Sequence, residues 1–264
     1  MRMPAVYLPH GGGPWPFIRV PLGTDTEQAA LRAYLASLPA LLPQVRSLLV
    51  ISAHWEEKVP TVQTAAAPKL MFDYYGFPPE AYQITWPAPG NPALADRVLT
   101  LLGEAELPSA TNGVRGYDHG TFVPLKVAWP AADVPTVQLS LVKTLDPALH
   151  LRIGRALAPL RDEGVLIVGS GMSYHNIDGF GVNTGRVASV AFDRWMRRTV
   201  ALPQAKRDAA LTQWSSAPSA RDAHPREDHL LPLMVVAGAA GSDLGQVPFS
   251  GSLLGVRVSA AHFG

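Results

Sequence analysis

Short apolar runs alternate along this chain with segments whose apolar residues recur at helical spacing. Four of the runs are predicted to be buried strands, at residues 6–8, 47–51, 136–141 and 165–168. Strands that alternate with helices are typical of α/β folds. With 264 residues, the chain is long enough to bury a core of its own. We therefore expect a single α/β domain over residues 1–264, with a central mostly parallel or mixed sheet flanked by helices.

Capping signals mark three helix starts. Thr24 and Glu27 have the spacing of a capping box. An N-cap residue followed by proline occurs twice, as Asn91-Pro92 and as Asp146-Pro147. Helical spacing predicts further helices over residues 186–201, 204–214 and 230–240, whereas residues 256–258 are predicted to form an edge strand.

Composition excludes several kinds of protein. The sequence has no cysteine, which rules out a disulfide scaffold, a thiolate zinc site and a cysteine nucleophile. A net charge of +1 and only 16% charged residues predict no binding to nucleic acid or to an acidic membrane. No apolar run approaches the roughly 18 residues of a membrane span, and no targeting segment precedes the first predicted strand. We therefore expect a cytoplasmic protein.

Three of the eight histidines follow predicted strands. His10 comes after the first strand, His54 after the second, and His175 after the strand at residues 165–168. Ligands of α/β sheets bind beyond the carboxyl ends of the strands. Because imidazole is the commonest metal ligand that is neutral near pH 7, these positions predict a divalent metal site at that edge of the sheet.

The other five histidines divide into three groups. His119 and His229 precede predicted helices and have acidic neighbours, and a helix N-terminus favours the neutral imidazole that a metal needs. His224 is predicted to contact a metal ligand and not the metal itself. His150 and His262 are predicted to be structural or exposed.

Two other features compete with or extend the metal hypothesis. The segment His10-Gly11-Gly12-Gly13 resembles an esterase oxyanion loop, but no serine stands in a complete G-x-S-x-G elbow, so a serine hydrolase is not expected. Residues 66–90 are rich in aromatic side chains and predict either a wall over a flat apolar ligand or a separate hydrophobic cluster.

At these residues the sequence resembles the DODA-type extradiol aromatic ring-opening dioxygenases, in the DOPA dioxygenase branch of the class III (LigB-like) superfamily. The resemblance extends in order over nearly the whole chain. The matching segments are LPHGGGP at 8–14, ISAHW at 51–55, YYGFP at 74–78, GYDHG at 116–120, VQLS at 137–140, GSGMSYHN at 169–176 and HPREDHLLPL at 224–233.

The resemblance implies a role for each matching histidine. His10, His54 and His229 match the metal ligands, and His175 matches an acid/base residue that also approaches the metal without substrate. His119 matches a residue that contacts substrate or oxygen, and we predict further substrate contacts by Tyr117 and Tyr82. The implied cofactor is one divalent metal per chain, Fe(II) for activity or Zn(II) as bound. The implied partners are a small aromatic catechol and O₂.

Several alternatives stay open at this stage. Better-known relatives bind iron through two histidines and a carboxylate. Here His229 occupies the third position beside Glu227 and Asp228, and the sequence leaves open whether one of these carboxylates joins or replaces it as a ligand. The same histidines would serve a zinc-dependent hydrolase of a small amide or ester, or a metal-binding protein without activity. Four cationic residues are candidates to receive a substrate carboxylate: Arg115, Lys126, Arg221 and Arg226.

Overall fold

The computed structural model describes residues 2–19, 23–42 and 45–264, and their strands form one eight-stranded sheet. The first half of the chain gives β1 (Ala5–Pro9), α1 (Asp25–Leu41), β2 (Ser47–Glu57), β3 (Thr61–Gln63), α2 (Pro92–Glu104), β4 (Ala110–Asn112) and α3 (His119–Ala128). The second half gives β5 (Thr136–Val142), α4 (Pro147–Leu157), β6 (Val165–Gly171), α5 (Asn183–Val200), α6 (Gln204–Thr212), α7 (Ala220–Ala223), α8 (Leu231–Ala240), β7 (Gly245–Leu253) and β8 (Val256–Phe263). Short 3₁₀ turns occur at Pro79–Tyr82, Ala158–Glu163, Ile177–Gly179 and Trp214–Ser216.

The sheet is mixed, with a parallel centre. Its order is β4-β3-β5-β2-β6-β1-β8-β7, and the four neighbours β5, β2, β6 and β1 are parallel to one another. β8 runs antiparallel to both β1 and β7. The predicted fold class, an α/β domain with a mostly parallel or mixed sheet flanked by helices, is confirmed.

Helices cover both faces of the central strands. A Cβ at Gly169 of β6 would lie 2.6 Å from the carbonyl oxygen of Pro232, so α8 packs directly on this face. The next residue, Ser170, donates its hydroxyl hydrogen to the carbonyl of Gly120 at the start of α3. Since successive side chains of a strand point to opposite faces, α8 and α3 lie on opposite sides of β6. The starts of both helices thus come close to the carboxyl end of the same strand.

The predicted helix starts are confirmed. Thr24 and Glu27 form the capping box of α1, whose buried face is Leu31, Tyr34, Leu35 and Leu38. Asn91 caps α2, and Asp146 caps α4 through the backbone N–H of Ala148. Within the described residues, no helix combines the length and apolar character that crossing a bilayer requires.

The prediction of an edge strand at residues 256–258 is wrong. These residues begin β8, which lies between β1 and β7 inside the sheet, and the outer position belongs to β7. The sequence of β7, GQVPFSGSL, has few large apolar residues, so its apolar pattern did not predict a strand. Because β7 was not predicted from the sequence, β8 had no predicted neighbour on that side and was assigned to the edge of the sheet.

Candidate active site

Five histidines meet beyond the carboxyl ends of the parallel strands. His10 directly follows β1, His175 lies four residues after β6, and His119 is the first residue of α3. His229 lies two residues before α8. His10, His119 and His229 are almost fully buried, and His54 and His175 are partly buried. The structure therefore brings together every histidine that was predicted to bind metal or to act in catalysis.

His54 corrects one detail of the prediction. It lies within β2, which runs on to Glu57, and not beyond the end of the strand. Pairing of β2 with β6 stops at Ser52, and the register with β5 shifts between Ile51 and Glu56. His54 thus stands in an irregular stretch of strand, which is where a side chain can be turned toward the end of the sheet.

The Nε2 atoms of three histidines converge. The Nε2 atom of His54 lies 3.3 Å from that of His10 and 3.2 Å from that of His229. An ion held at about 2.0–2.1 Å from each nitrogen in tetrahedral geometry would separate the nitrogens by about 3.3 Å. These separations therefore fit a shared divalent ion.

Three further donors lie nearby, on His119, His175 and Asp228. Donor atoms of His10, His54 and His119 lie within 4.8 Å of one another, and so do those of His175, Asp228 and His229. The two sets are joined by the contact between His54 and His229. Imidazole nitrogens with one nearby carboxylate suit Fe(II) and Zn(II) better than Mg²⁺ or Ca²⁺, which prefer oxygen ligands.

The cluster favours neutral imidazoles. Burial lowers the pKa of His10 and His229 well below the ordinary value, and the neighbouring histidines lower each pKa further. Burial also lowers the pKa of His54 and of His175. Neutral imidazole is the form whose lone pair can bind a metal.

Asp73 orients His119, a partnership that the sequence analysis did not identify. Its Oδ1 accepts hydrogen bonds of 2.9 Å from the backbone N–H and from Nδ1 of His119. Its Oδ2 lies 3.7 Å from Nδ1 of His54. Burial alone would raise the pKa of Asp73, but the bonds from His119 and the charge of nearby histidines lower it below its ordinary value. With its Nδ1 proton held by Asp73, His119 keeps Nε2 free.

Asp118 is the second residue that the analysis missed. It is fully buried and caps α3 through the N–H of Thr121. Its carboxylate also accepts hydrogen bonds from Ser52, Arg115 and Gln138. It thus ties the start of α3 to strands β2 and β5, which fixes the position of His119. Its place before a histidine at a predicted helix start was the signal that could have identified it.

His175 lies flat against His229. The two rings stack with centroids 3.3 Å apart and an interplanar angle of 11°. Two contacts fix the segment that carries His175. The backbone N–H of His175 donates to the carbonyl of Ala223, and Nε2 of the buried His224 contacts the carbonyl of Ser173. His224 therefore supports the site without being one of the converging donors, as its predicted role requires.

The aromatic segment packs beside His119. The ring of Tyr74 lies 5.9 Å from the His119 ring and also contacts Phe77, Tyr82 and Phe122. Tyr82, a predicted substrate contact, is 38% exposed and stands on the outer side of this group. The segment is thus both an aromatic cluster of its own and a wall next to the histidines.

Tyr117 does not face the histidines. It is fully buried, its ring packs against Trp86, and its hydroxyl donates to the carbonyl of Thr136 over 2.7 Å. Tyr117 is therefore a core residue, and its side chain has no free group for the substrate contact that was predicted.

Comparison with known proteins identifies a family for this chain. Residues 20–259 match the family described as the catalytic LigB subunit of aromatic ring-opening dioxygenase. The chain is 41% identical over 201 residues to the 4,5-DOPA dioxygenase extradiol of Beta vulgaris, covering 75% of this chain and 74% of that protein. It is 33% identical over 281 residues to the dioxygenase tasH of Hapsidospora irregularis, covering 99% of this chain and 85% of that one.

A solved structure gives the same result for the fold. An uncharacterized protein from Escherichia coli K12 superimposes with a TM-score of 0.81 and 28% identity, and the match covers 100% of both chains. The family match spans four of the five clustered histidines (His54, His119, His175 and His229), and His10 lies before its first residue. This chain belongs to the LigB family of aromatic ring-opening dioxygenases.

Proposed function

We propose that this chain opens the ring of a catechol at an extradiol (meta) bond, with O₂ as the second substrate and a semialdehyde acid as the product. The observation that carries the proposal is the convergence of the His10, His54 and His229 Nε2 atoms, at separations of 3.3 and 3.2 Å. Membership of a ring-opening dioxygenase family supports this reaction over other reactions of a metal bound by histidines.

The metal ligands in this proposal are His10, His54 and His229, with His175 as a fourth donor in the absence of substrate. Asp228 lies beside His229 and is also paired with Arg226, whereas Glu227 is paired with Arg221. We therefore assign the third ligand to His229 and not to either carboxylate. When bound, Fe(II) would supply a Lewis acid for the two catechol hydroxyls and a redox partner for O₂.

His175 is assigned the acid/base role. A ring nitrogen of the neutral imidazole accepts the proton of a catechol hydroxyl and returns it as the O–O bond breaks. Stacking on His229 holds the ring in one plane next to the proposed metal ligands, so the proton would move over a fixed distance.

His119 is assigned to stabilise negative charge that develops on the substrate or on oxygen. Nδ1 is bonded to Asp73, so the contact falls to Nε2, which stabilises negative charge only when it carries a proton of its own to donate. Tyr74, whose ring packs beside that of His119, and the aromatic residues around it would exclude water from that side of the His119 ring. Tyr82 is placed to contact a substrate only at the outer rim of this wall.

The test is reconstitution under anaerobic conditions. The metal-free protein is loaded with Fe(II) or Zn(II), a panel of charged and uncharged catechols is added, and O₂ is admitted while oxygen uptake and product absorbance are recorded. We expect Fe(II)-dependent uptake of one O₂ per catechol and a yellow product. Absence of uptake with every catechol contradicts the proposal.

The same experiment separates the dioxygenase from a zinc hydrolase. Hydrolysis of a small amide or ester would proceed equally well without oxygen and with Zn(II). Turnover that requires neither O₂ nor Fe(II) would therefore favour the hydrolase.

A further inference from the structure

An apolar cavity has His175 in its wall, and none of its described lining residues belongs to the aromatic segment at residues 66–90. Resting on the function proposed above, we infer that the catechol cleaved here carries an uncharged, apolar substituent, and that this cavity binds the substituent. The residues that line it are Gly11, Gly12, Met172, His175, Ile177, Phe180, Leu253 and Leu254.

The cavity adjoins the histidine cluster at three points. His175 is part of its wall, Gly11 directly follows His10, and the backbone N–H of Met172 donates to the carbonyl of His229. A catechol held by its two hydroxyls at the cluster could therefore extend a ring substituent into the cavity. Three larger clefts, of about 520, 580 and 430 Å³, contain none of the five clustered histidines among their described lining residues.

Size and lining favour an apolar group. The cavity has a volume of about 300 Å³, and a dry apolar cavity of about 150 Å³ is already large enough for benzene. Apart from His175, its described lining consists of glycines and apolar side chains. Burial of a short alkyl chain would contribute about 0.8 kcal/mol for each CH₂ group removed from water.

The walls of the cavity are held in place by backbone contacts. Gly11 has φ +83°, and a Cβ there would meet the ring of Trp15 at 2.4 Å, so only glycine allows the loop to pass this close. The turn between β7 and β8 is fixed to the opposite wall because the N–H of Gly181 donates to the carbonyl of Leu254 over 2.8 Å. The cavity is thus formed before a substrate arrives.

A carboxylate in this cavity would find no cationic partner. No lysine or arginine is among the described residues that line it. Arg115 is bonded to Asp118 at 2.9 Å and lies over the Trp55 ring. Arg226 is bonded to Glu56 at 2.7 Å and lies 3.2 Å from Asp228. Each of these two cations is therefore already neutralised.

The remaining candidates are also engaged. Arg221 is bonded to Glu227 at 2.6 Å and lies over the Trp214 ring. Lys126 donates to the carbonyl of Thr85 at 2.8 Å, beside Phe17. Two carboxylates lie against the histidine rings, Asp73 at His119 and Asp228 at His229. Since an unpaired carboxylate is costly to bury and these groups repel it, the site disfavours acidic substituents.

The experiment compares catechols that differ only in the end of the side chain. The Fe(II)-loaded enzyme is assayed by oxygen uptake with 4-butylcatechol and with 3-(3,4-dihydroxyphenyl)propionate, in which a carboxylate replaces the end of the chain. We expect kcat/KM to be roughly 100-fold higher for 4-butylcatechol. Equal or better cleavage of the acid overturns this inference and leaves the proposed function intact, whereas cleavage of no catechol overturns both.

A charge inserted at the mouth of the cavity should reverse the preference. Ile177 is 67% exposed, so Ile177→Arg leaves the packed core untouched. We expect this variant to gain activity on the acid and to lose it on 4-butylcatechol. Val187→Arg is the matched control, because Val187 is 56% exposed and lies outside the cavity. An unchanged preference in Ile177→Arg, or the same change in both variants, contradicts the assignment.

Binding without turnover gives an independent test. 4-Butylphenol has a single hydroxyl and cannot undergo the proposed cleavage, so its binding to the metal-free protein is measured by calorimetry. We expect binding of one molecule per chain that Ile177→Arg weakens and Val187→Arg does not. Absence of binding to the wild-type protein overturns the assignment of the cavity.

Discussion

The histidine cluster and two isolated histidines of the same protein, the buried His150 and the half-buried His262, differ in what their nitrogens contact. His150, in α4, accepts a hydrogen bond from Val142 at Nε2 and contacts the carbonyl of Asp146 at Nδ1, so both nitrogens are satisfied. His262, in β8, is paired with the hydroxyl of Tyr34 at 2.7 Å. In the cluster, by contrast, the Nε2 atom of His54 lies 3.3 Å from that of His10 and 3.2 Å from that of His229.

This difference shows that burial alone does not identify a metal ligand. Burial lowers the pKa of His262 to about 4 and that of His150 below its ordinary value, as it does for the clustered residues. Structural histidines and metal-binding histidines differ in the group that faces the lone pair of the ring nitrogen. A backbone or hydroxyl donor indicates a structural histidine, and a second imidazole lone pair at about 3.3 Å indicates a place for an ion.

Replacement of a clustered histidine should have the largest effect. His54 is central to the Nε2 contacts, so His54→Ala should reduce the metal content to near zero and activity by about 1,000-fold or more. Metal analysis and oxygen uptake measure the two effects. His262→Gln, which changes an isolated half-buried histidine, should keep the wild-type metal content. Equal metal loss in the two variants would contradict the comparison.

His175→Ala should separate catalysis from metal binding. Removal of a positioned acid/base group costs about 10²- to 10⁴-fold in turnover. Because His175 is not one of the three proposed ligands, the purified variant should retain most of its metal. Full turnover with intact metal would show that the assigned role is wrong.

Asp73→Asn tests whether the orientation of His119 matters. An asparagine would keep the size of the side chain but lose the charge that pairs with Nδ1 of His119. Loss of such a supporting carboxylate reduces activity by about 10- to 100-fold. Asp96→Asn, at an exposed position of α2, provides the control and should have wild-type activity. A variant of Asp73 as active as the control would show that the carboxylate only stabilises the fold.

The smallest effect is expected in the acid stability of the isolated histidines. The pKa of His262 is lowered in the folded protein to about 4, so the unfolded chain takes up this proton first. Its contribution is present above about pH 6.5 and is lost as the pH falls toward 4. The free energy of unfolding of the metal-free protein is measured with urea at pH 7 and at pH 4.5. It should fall between the two pH values in both proteins, and the fall should be about 2 kcal/mol smaller in His262→Gln than in the wild type. Identical falls in the two proteins would contradict the assignment to His262.

Most of the fold could be predicted because its signals are local. The capping box at Thr24 and the Asn91-Pro92 and Asp146-Pro147 pairs each involve residues within one turn, and all three helices begin there. β7 could not be predicted, because glycine, serine and proline interrupt its apolar residues, so no apolar pattern marks the strand that pairs with β8.

The same division applies to the site. The positions of His10 and His175 after strands, and of His229 before a helix, can be read in the sequence and already place these residues at one edge of an α/β sheet. The partnership of Asp73 with His119 joins residues 46 positions apart, and no local pattern encodes it.

The sequence by itself determined the chemistry that is available: eight histidines, no cysteine, and five of the histidines next to strand or helix ends. Only the tertiary structure decided which nitrogens meet, that Tyr117 belongs to the core, and that the candidate cations are paired with carboxylates or backbone groups. The reason is physical. Secondary structure follows from interactions between near neighbours, whereas distances between lone pairs depend on strand order, register and packing across the whole sheet.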